Sequence, residues 1–494
     1  MAVTPIMDPS PPKPRRPVWG VIAALYVLAL LFTAFWQPLV ALVLSILGIL
    51  YLVFRLVDLD ATTVLSIYLL FLMLLPASYV VPSVGAAGTP ANALALGCGY
   101  WWILQQTAPS PASSTIPRID SLQPLRVALM VFMLTTAASF VVAFARPLTS
   151  VESNGAARSL LSAAGLTGVA LLASDGIVNR DRLDVIINRI LNVAGLMAIV
   201  ACLQFFTDFD PVLRWRVPGL ELNRDLLAVS ARSVVNRVAS TTLHPIEFGG
   251  VVAMLLPLAL HTAFYCEKRL RFRRWARVGL LGLALPLSVS RTAVVILAVA
   301  LLMMWPAWKW ARRLWFLAGS IVFLLVVRGL VSGLLGTIVS LFTSINEDPS
   351  TSGRTDDYEK IWVLWGERPL FGRGLGTFDP VQYFFLDNQL LMTLVTGGLV
   401  ALGGLVFLVV VGTSVSRQVY WHALDEETQH LGATIAASVV GAFFGFATFD
   451  ALGFPVFAGL FFLLIGIGGA AWRIEVMPHG RTYANRRHRK QADA

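Results

Sequence analysis

Residues Leu390–Gly412 read LLMTLVTGGLVALGGLVFLVVVG, an apolar stretch of 23 positions without a charged side chain. A helix of about 20 apolar residues crosses the hydrocarbon core of a bilayer, so this stretch predicts a membrane-spanning helix. Comparable runs recur along the chain and begin near Val18, Pro38, Ala61, Ala91, Leu125, Ser159, Val185, Pro245, Gly279, Thr292, Phe316, Leu431 and Pro455. The sequence therefore predicts an all-α fold, a polytopic integral membrane helix bundle with about 12–14 transmembrane helices.

The 494-residue chain also has the composition of a membrane protein. Only 13% of its residues are charged and its mean hydropathy is +0.73, whereas a soluble domain has about 25% charged residues. The net charge of +10 lies in short segments between apolar runs, which is typical of cytoplasmic loops and argues against nucleic acid as a partner. Three separated cysteines and six scattered histidines predict no metal site, and no cofactor is expected.

The basic segments predict the orientation. With the basic N-terminus in the cytoplasm, alternating helices put every strong Lys/Arg cluster on one side: 179–189, 267–277, 309–313 and 481–490. Two long polar segments, at about 208–243 and about 340–387, then lie outside. The predicted divisions are a disordered basic cytoplasmic tail (1–17), N-terminal transmembrane helices (18–243), a transmembrane core (244–472) and a basic cytoplasmic tail (473–494).

The second outer segment contains a predicted amphipathic helix. Apolar and aromatic residues recur there at helical spacing after Asp356 and Asp357, which fall in the predicted first turn: Tyr358, Ile361, Trp362 and Trp365. Such a helix lies over the membrane body or in the interface. Arg354 precedes this periodic stretch, and the glycine-rich sequence after it predicts a tight turn that holds Arg373 against the membrane body.

Polar residues between apolar runs are candidates for function. Ser290 is a natural N-cap, so Arg291 falls in the first turn of the next helix. A cation there opposes the helix dipole, and an anionic ligand would relieve this; the alternative is an arginine that extends to the interface. Arg237 has no comparable local explanation.

Four further residues have both a structural and a functional interpretation. Glu247 suits either a helix start or a site, and His244 either an interfacial position or a proton carrier. Asp387, beside Asn388, is either a helix cap or the general base that deprotonates an acceptor hydroxyl. Asp450 either caps a short turn or pairs with one of the arginines.

These motifs together resemble the O-antigen ligase and polymerase superfamily. The matching patterns run from about Arg237 to Gly398: R-x-x-S-T-x-L-H-P-x-E-F-G, S-R-T-A, G-R before a Trp-containing helix, P-L-F-G-x-G-x-G-T-F, and D-N-Q-L-L before G-G-L. The resemblance implies a metal-independent inverting glycosyltransferase of the bacterial cytoplasmic membrane with its active site facing outward. Its partners would be a polyprenyl diphosphate-linked glycan donor, a glycan or glycolipid acceptor, and membrane lipid.

The resemblance also implies roles for individual residues. Arg237 and Arg291 would hold the diphosphate leaving group, and Arg354 would be a further arginine of the cavity. The ligases typically have a histidine where this chain has Asp387, a difference that bears on the acceptor rather than on the chemistry.

Two other functions fit parts of the sequence. A transporter or lipid-linked glycan flippase would also have many helices and buried arginines, although broken helices and internal repeats are typical of that class. A metal-dependent membrane glycosyltransferase would use Asp208 and Asp210, a D-x-D pair at the outer end of a helix.

Overall fold

The computed structural model describes residues 59–81, 89–107, 123–207, 209–215, 217–222, 237–330, 349–380 and 382–477, with isolated positions at 45, 48, 49, 51, 52, 336, 339 and 343. The chain divides into two compact units, Met1–Asp58 and Leu59–Ala494. The predicted N-terminal tail and most of the first two predicted spans lie outside the described residues, as do Asp208 and residues 478–494.

The described part of the second unit is built almost entirely from helices. Its fourteen α-helices are α1 (Ala61–Met73), α2 (Pro90–Thr107), α3 (Pro124–Ala143), α4 (Ser150–Gly176), α5 (Arg180–Phe206), α6 (Pro211–Arg214), α7 (Pro245–Phe264), α8 (Arg271–Leu287), α9 (Arg291–Met304), α10 (Trp310–Leu330), α11 (Pro349–Glu367), α12 (Gln389–His422), α13 (Glu426–Gly445) and α14 (Pro455–Glu475). Two-residue strands, β1 (Tyr79–Val80) and β2 (Glu221–Leu222), pair antiparallel. The predicted all-α polytopic class is confirmed.

Seven of these helices are long and apolar enough to cross a membrane: α3, α4, α5, α7, α10, α12 and α14. The apolar helices α1 and α9 are shorter. Burial separates the centre from the periphery, because 94% of the apolar window of α7 and 89% of that of α14 are buried, against 6% for α10. The core therefore surrounds α7 and α14, while α10 presents its apolar surface to lipid.

Small residues let the inner helices approach closely. A Cβ atom added at Gly168 of α4 would meet the backbone of Gly99 in α2, and one added at Gly466 of α14 would meet the backbone of Ala170 in α4. Contacts of this kind stabilise helix pairs in lipid, where apolar burial contributes little. They hold α2, α4 and α14 together around the cavity described below.

Helix α4 begins well before its predicted apolar run. Thr149 and Glu152 form a reciprocal capping box, in which each side chain accepts a hydrogen bond from the other residue's backbone N–H. Arg146 donates to Glu152 at 2.6 Å and fixes the same end. The helix start at Ser150 places Arg158 two turns inside the helix, where the sequence interpretation had put it just before a span.

Helix α12 is broken at Gly398, which has φ 65° and ψ −168°. The glycine-rich turn docks onto this break from both sides. The amides of Arg373 and Gly374 donate to the carbonyls of Val395 and Thr396 at 3.0 and 2.9 Å. The amides of Leu399 and Val400 donate in turn to the carbonyls of Pro369 and Leu370 at 2.9 and 3.0 Å. The turn thus supplies partners for backbone groups that the break leaves without helical ones.

The predicted amphipathic helix is present as α11, but its predicted start is wrong. Helix α11 begins at Pro349, so Asp356 lies in its interior rather than in its first turn. Ile361 is buried with Phe378, Leu386 and Val395. The neighbouring Trp362 is 54% exposed. One face of α11 therefore packs on the docked turn, and the exposed part of the helix carries both apolar and charged side chains, such as Trp362 and Lys360.

The basic segments meet at one end of the bundle. Arg277 of α8 donates to Asn188 and Asn192 of α5. Lys309, just before α10, pairs with Glu426 of α13 at 2.6 Å. The described clusters at 179–189, 267–277 and 309–313 are thus joined around the C-terminal end of α7. The side of the membrane that they face remains a prediction.

Candidate functional site

Four segments meet at the N-terminal end of α7: residues 237–247, 288–292, 387–389 and 446–457. The Nε of Arg237 donates to the carbonyl oxygen of Ser288 at 3.3 Å. The hydroxyls of Thr292 and Thr448 lie 2.9 Å apart. These contacts tie the loop before α7 to the start of α9, and the start of α9 to the loop before α14.

Arg237 and Arg291 lie close enough in this arrangement for their charges to interact. Ser290 caps α9 by accepting from the amide of Ala293 at 3.4 Å, as predicted, and Arg291 is the first helical residue. Burial lowers the pKa of Arg237, and the nearby guanidinium of Arg291 lowers it further because two like charges repel. The site thus concentrates positive charge at the N-terminus of a helix, where an anion binds favourably.

The backbone is strained beside both arginines. Ser240 (φ 54°) and Val289 (φ 45°) are the non-glycine residues with positive φ in the described part of the chain. This conformation costs about 1–2 kcal/mol per residue. Hydrogen bonds hold Ser240 in place, since its amide donates to Gln204 at 2.8 Å and its hydroxyl to the Met197 carbonyl at 2.7 Å. Strain that surrounding contacts maintain is frequent at functional sites.

Asn388, and not Asp387, caps α12. Its Oδ1 accepts from the amide of Leu391 at 3.1 Å, and its Nδ2 donates to the carbonyl of Ala447 at 3.1 Å. Gln389 continues this connection, because its side-chain oxygen accepts from the amide of Leu452 at 2.8 Å. The capping interpretation of Asp387 is therefore wrong, and its carboxylate is exposed at the end of the loop.

Glu247 is fully buried, and the main chain surrounds its carboxylate. One oxygen accepts from the amides of Val456 and Phe457 at 2.7 and 3.2 Å, and the other from the amide of Leu243 at 2.8 Å. Helix α14 has Phe454 as its N-cap residue, which provides no side-chain acceptor. Glu247 caps α14 from a neighbouring helix, so the geometry favours its structural interpretation.

His244 is held as a neutral ring. Burial lowers its pKa to about 4, Arg237 adds to this effect, and Asp387 opposes it. Its Nδ1 accepts from the amide of Ile246 at 3.2 Å, so His244 is the N-cap of α7. The neutral ring then carries its proton on Nε2, which is a hydrogen-bond donor.

Asp450 is a second carboxylate in the same neighbourhood. Burial raises its pKa to about 6, and the charge of Asp387 raises it as well. The influence of Asp387 on both Asp450 and His244 brings the two acids, the histidine and the arginines into one electrostatic cluster.

Arg373 belongs to the docked turn instead. Its guanidinium pairs with Glu367 at 3.1 Å and donates to the hydroxyl of Tyr383 at 2.8 Å. Arg354 lies on the backbone of α11, and its side chain is outside the described residues. The structure thus gathers Arg237, Arg291, His244, Asp387 and Asp450, and it gives Arg373 partners within the turn.

A cavity of about 430 Å³ borders this cluster, and Asp450 and Gln389 form part of its wall. Its other polar lining includes residues that the sequence interpretation missed: Asn92, Arg158, Ser159, Ser162 and Asp379. The capping-box pattern at Thr149 and Glu152 was the signal that would have placed Arg158 inside a helix.

Comparison with known families gives one match. Residues 276–408 match the O-antigen ligase family model. Over this segment, called the O-antigen ligase domain below, the chain is similar to that family. The matched segment includes Arg291, Arg354, Arg373, Asp387 and Asn388. Four other candidate residues lie outside it in sequence: Arg237, His244, Glu247 and Asp450.

The O-antigen ligase domain confirms the predicted superfamily. It supports a multi-pass membrane enzyme of the glycosyltransferase type, with a role in O-antigen ligation or polymerisation on lipid-linked glycan. No curated protein matched the chain.

Proposed function

We propose that this protein transfers a glycan from a polyprenyl diphosphate carrier to a hydroxyl of a glycan or glycolipid acceptor at the outer face of the bacterial cytoplasmic membrane. The observation that carries the proposal is the meeting of Arg237, Arg291 and Asp387 at one helix-end site, two of them within the O-antigen ligase domain. Two cations and one base are the groups that such a transfer needs.

The arginines act on the leaving group. The acceptor oxygen bonds to the anomeric carbon as the bond from that carbon to the diphosphate oxygen breaks, and the polyprenyl diphosphate leaves with the electron pair. Arg237, Arg291 and the free N–H groups of α9 stabilise the charge that develops there. Guanidinium groups suit this role because they bind phosphate oxygens in pairs.

Asp387 takes the proton of the acceptor hydroxyl. Asn388 caps α12, so the cap does not require Asp387, whose exposed side chain lies directly before the helix start. A single displacement with the base opposite the leaving group inverts the anomeric centre. A carboxylate accepts the same proton as the histidine that the ligases typically have at this position.

The remaining site residues support this step. The Nε2–H of His244 donates to an oxygen of the donor, and Asp450 accepts from a sugar hydroxyl in the cavity. Glu247 and Arg373 position helix α14 and the docked turn through the contacts described above. Arg354 is a further donor-binding cation of the outer loop.

The outward orientation rests on the two ends of α7. The site lies at the N-terminal end and the basic clusters at the C-terminal end, about 30 Å away for a helix of this length. Basic segments favour the cytoplasm. In a variant without native cysteines, an impermeant external thiol reagent is expected to label Val363→Cys and not Leu424→Cys; the reverse result contradicts the orientation.

The proposed chemistry is independent of metal ions because arginines supply the positive charge. Transfer is expected to survive saturating EDTA. Its complete loss, with recovery on adding Mg²⁺ or Mn²⁺, would support the D-x-D alternative. The described member of that pair, Asp210, caps α6 by accepting from the amide of Val212 at 2.9 Å.

The arginine assignment is tested with purified protein in nanodiscs and a polyprenyl diphosphate-linked glycan. Arg237→Ala and Arg291→Ala are each expected to lower transfer by about 10²- to 10³-fold, the range for loss of one charge-stabilising group. Arg291→Lys is also expected to be poor, since an ammonium does not make paired contacts. Arg214→Ala, which removes an exposed arginine elsewhere, is the control. Normal transfer by both site variants removes the diphosphate assignment.

One observation favours transport as a second candidate, namely the broken helix α12. The turn occupies that break with four backbone hydrogen bonds, which favours the enzyme. Translocation of a fluorescent polyprenyl-linked lipid across liposomes containing the purified protein would support the flippase.

A further inference from the structure

Three basic clusters of the described chain lie at the C-terminal end of α7, and two of them contain ion pairs. In the first cluster, Arg180 pairs with Asp184 at 3.1 Å. In the third, Lys309 pairs with Glu426 at 2.6 Å. The second cluster, residues 267–277, differs from both.

This second cluster has six cations and one acid, in the sequence EKRLRFRRWAR. Within the part of the chain that the structure describes, none of the six cations forms an ion pair. Arg277 donates to two asparagines of α5, which carry no charge. It also lies near the like charges of Arg273 and Arg274, and both Arg271 and Arg273 are exposed. The cluster therefore keeps a positive charge that an anion would neutralise.

Aromatic side chains lie among these cations at the level where apolar helices end. Phe272 is 87% exposed and Trp275 is 42% exposed. The ring of Trp275 lies 5.6 Å from that of Phe264, the last residue of α7. The apolar part of α8 begins directly after Arg277. Exposed aromatic residues among cations at such a boundary are typical of segments that contact lipid headgroups.

Helix α10 provides an apolar surface beside α8. A Cβ atom added at Gly282 of α8 would lie 3.2 Å from the ring of Phe323 of α10, so the two helices are in contact. Other side chains of α10 are open, with Ile321 61% and Leu325 63% exposed. Both helices begin at the end of the bundle that carries the basic clusters. The cations thus lie at one end of an apolar surface, as a headgroup lies at one end of its acyl chains.

We propose that the first two turns of α8 bind an anionic phospholipid. Arg271, Arg273 and Arg274 contact its phosphate, and its acyl chains lie along the open surface of α10. A lipid with a net negative charge is favoured over a zwitterionic one, because the arginines repel the cation that a zwitterionic headgroup carries. The proposal depends neither on the direction of glycan transfer nor on the side of the membrane that this end faces.

The test compares phosphatidylglycerol with phosphatidylcholine of the same acyl chains. The purified full chain in an uncharged detergent is titrated with each lipid, and native mass spectrometry counts the bound molecules. Wild-type protein is expected to bind phosphatidylglycerol at least about tenfold more tightly, because each basic residue beside an anionic headgroup strengthens binding about fivefold.

Paired substitutions locate the cations responsible. Arg271→Gln/Arg273→Gln is expected to weaken phosphatidylglycerol binding at least about tenfold and to leave phosphatidylcholine binding unchanged. Arg271→Lys/Arg273→Lys keeps both charges and is expected to keep most of the preference. Both side chains are exposed, so the fold is expected to tolerate these changes, which the thermal unfolding midpoint checks.

A matched control separates this site from the general charge of the bundle end. Arg417 lies near the same end, and its guanidinium stacks 5.1 Å from the centre of the Tyr420 ring. Arg417→Gln is expected to leave the preference for phosphatidylglycerol intact. If it weakens binding as much as Arg271→Gln/Arg273→Gln does, the lipid is attracted by overall charge and the proposed site is wrong.

Competition tests whether the occupant is a lipid. Glycerol phosphate has the anionic group without acyl chains and is expected not to displace phosphatidylglycerol at equal concentration, since it makes no contact with α10. Displacement by glycerol phosphate would make this a site for a free anion, and displacement by a polyglutamate peptide would make it a protein-docking surface. Either result overturns the proposal, as does equal binding of the two phospholipids by wild-type protein.

Discussion

Polar side chains are paired differently at the two ends of α7. At the C-terminal end, the Nδ1 atoms of His261 and His430 lie 2.9 Å apart, and Trp308 donates to Nε2 of His430 at 2.8 Å. His430 therefore carries its proton on Nδ1 and donates it to Nδ1 of His261. Several charges there are paired with groups of opposite sign, as Lys309 is with Glu426, and Arg277 in addition lies near the like charges of Arg273 and Arg274.

At the N-terminal end, side chains of like charge lie close together. Arg237 is destabilised by Arg291, and Asp450 by Asp387, while Ser240 and Val289 hold unfavourable backbone angles nearby. A fold that optimised only its own stability would separate these groups. The strained backbone distinguishes the N-terminal end, which suits a ligand that compensates its charges, whereas the ion pairs of the C-terminal end stabilise the bundle.

Removing the proposed base should give the largest contrast between the ends. Asp387→Asn keeps the size of the side chain and removes the proton acceptor, so transfer is expected to fall by about 10²- to 10⁴-fold with donor binding retained. Asp387→His is expected to recover part of the activity. Initial rates with a polyprenyl diphosphate-linked donor measure both.

The same substitution at the other end is the control. Asp425 caps α13 by accepting from the amide of Thr428 at 2.8 Å, and asparagine preserves such a cap. Asp425→Asn should therefore leave transfer within about twofold of wild type, the scatter expected for a substitution outside the chemistry. Normal turnover by Asp387→Asn together with failure of Asp450→Asn would move the base to Asp450.

The docked turn provides the next largest effect. Gly398→Ala forces a side chain into a position with φ 65°, where its Cβ would meet the carbonyl oxygen of Leu370. Undocking the turn disturbs the connection to Asp387, so transfer is expected to fall at least about tenfold, as when site groups lose their orientation. Gly403→Ala is a matched control in the same helix, because its Cβ would enter open space. Equal activity of the two variants would mean that the docked turn does not position the site.

The sequence predicted the helical class and the cap at Ser290, because hydrophobic runs and caps are local signals. Some of its candidate site residues lie in one cluster, whereas Arg373 belongs to the docked turn. The sequence missed the break at Gly398 and the role of Glu247, since both depend on partners far along the chain, the turn at 369–374 and the start of α14. It also misjudged Asp387 as a possible cap, because adjacent Asp and Asn residues compete for that position and only the backbone angles decide between them.

A purely structural change at the C-terminal end should have a smaller effect. Trp308→Phe removes the donor to Nε2 of His430, and an unsatisfied buried acceptor costs about 1–3 kcal/mol. The thermal unfolding midpoint in detergent is expected to fall, while transfer per folded molecule stays unchanged. Trp310→Phe, at a position 68% exposed, should change neither the unfolding midpoint nor transfer. A specific loss of transfer in Trp308→Phe would link this end to catalysis.

The smallest expected effect is a pair of pH dependences with opposite signs at the N-terminal end. The pKa of Asp450 is raised from 3.8 to about 6 in the folded protein, so its contribution to stability is present below pH 3.8 and is lost as the pH rises through 6. The pKa of His244 is lowered from 6.5 to about 4, so its contribution is present above pH 6.5 and is lost as the pH falls towards 4.

Asparagine at either position does not titrate, and it preserves the cap that His244 provides for α7. Relative to wild type, the unfolding midpoint of Asp450→Asn should therefore rise between pH 4.5 and 7.5, and that of His244→Asn should fall over the same interval. Each change is expected to be about 1–3 °C, the scale of a perturbation near 1 kcal/mol. Slopes of the same sign in both variants would mean that burial does not shift the two pKa values in opposite directions, and the contrast between the two ends of α7 would then rest on the arginines and the strained backbone alone.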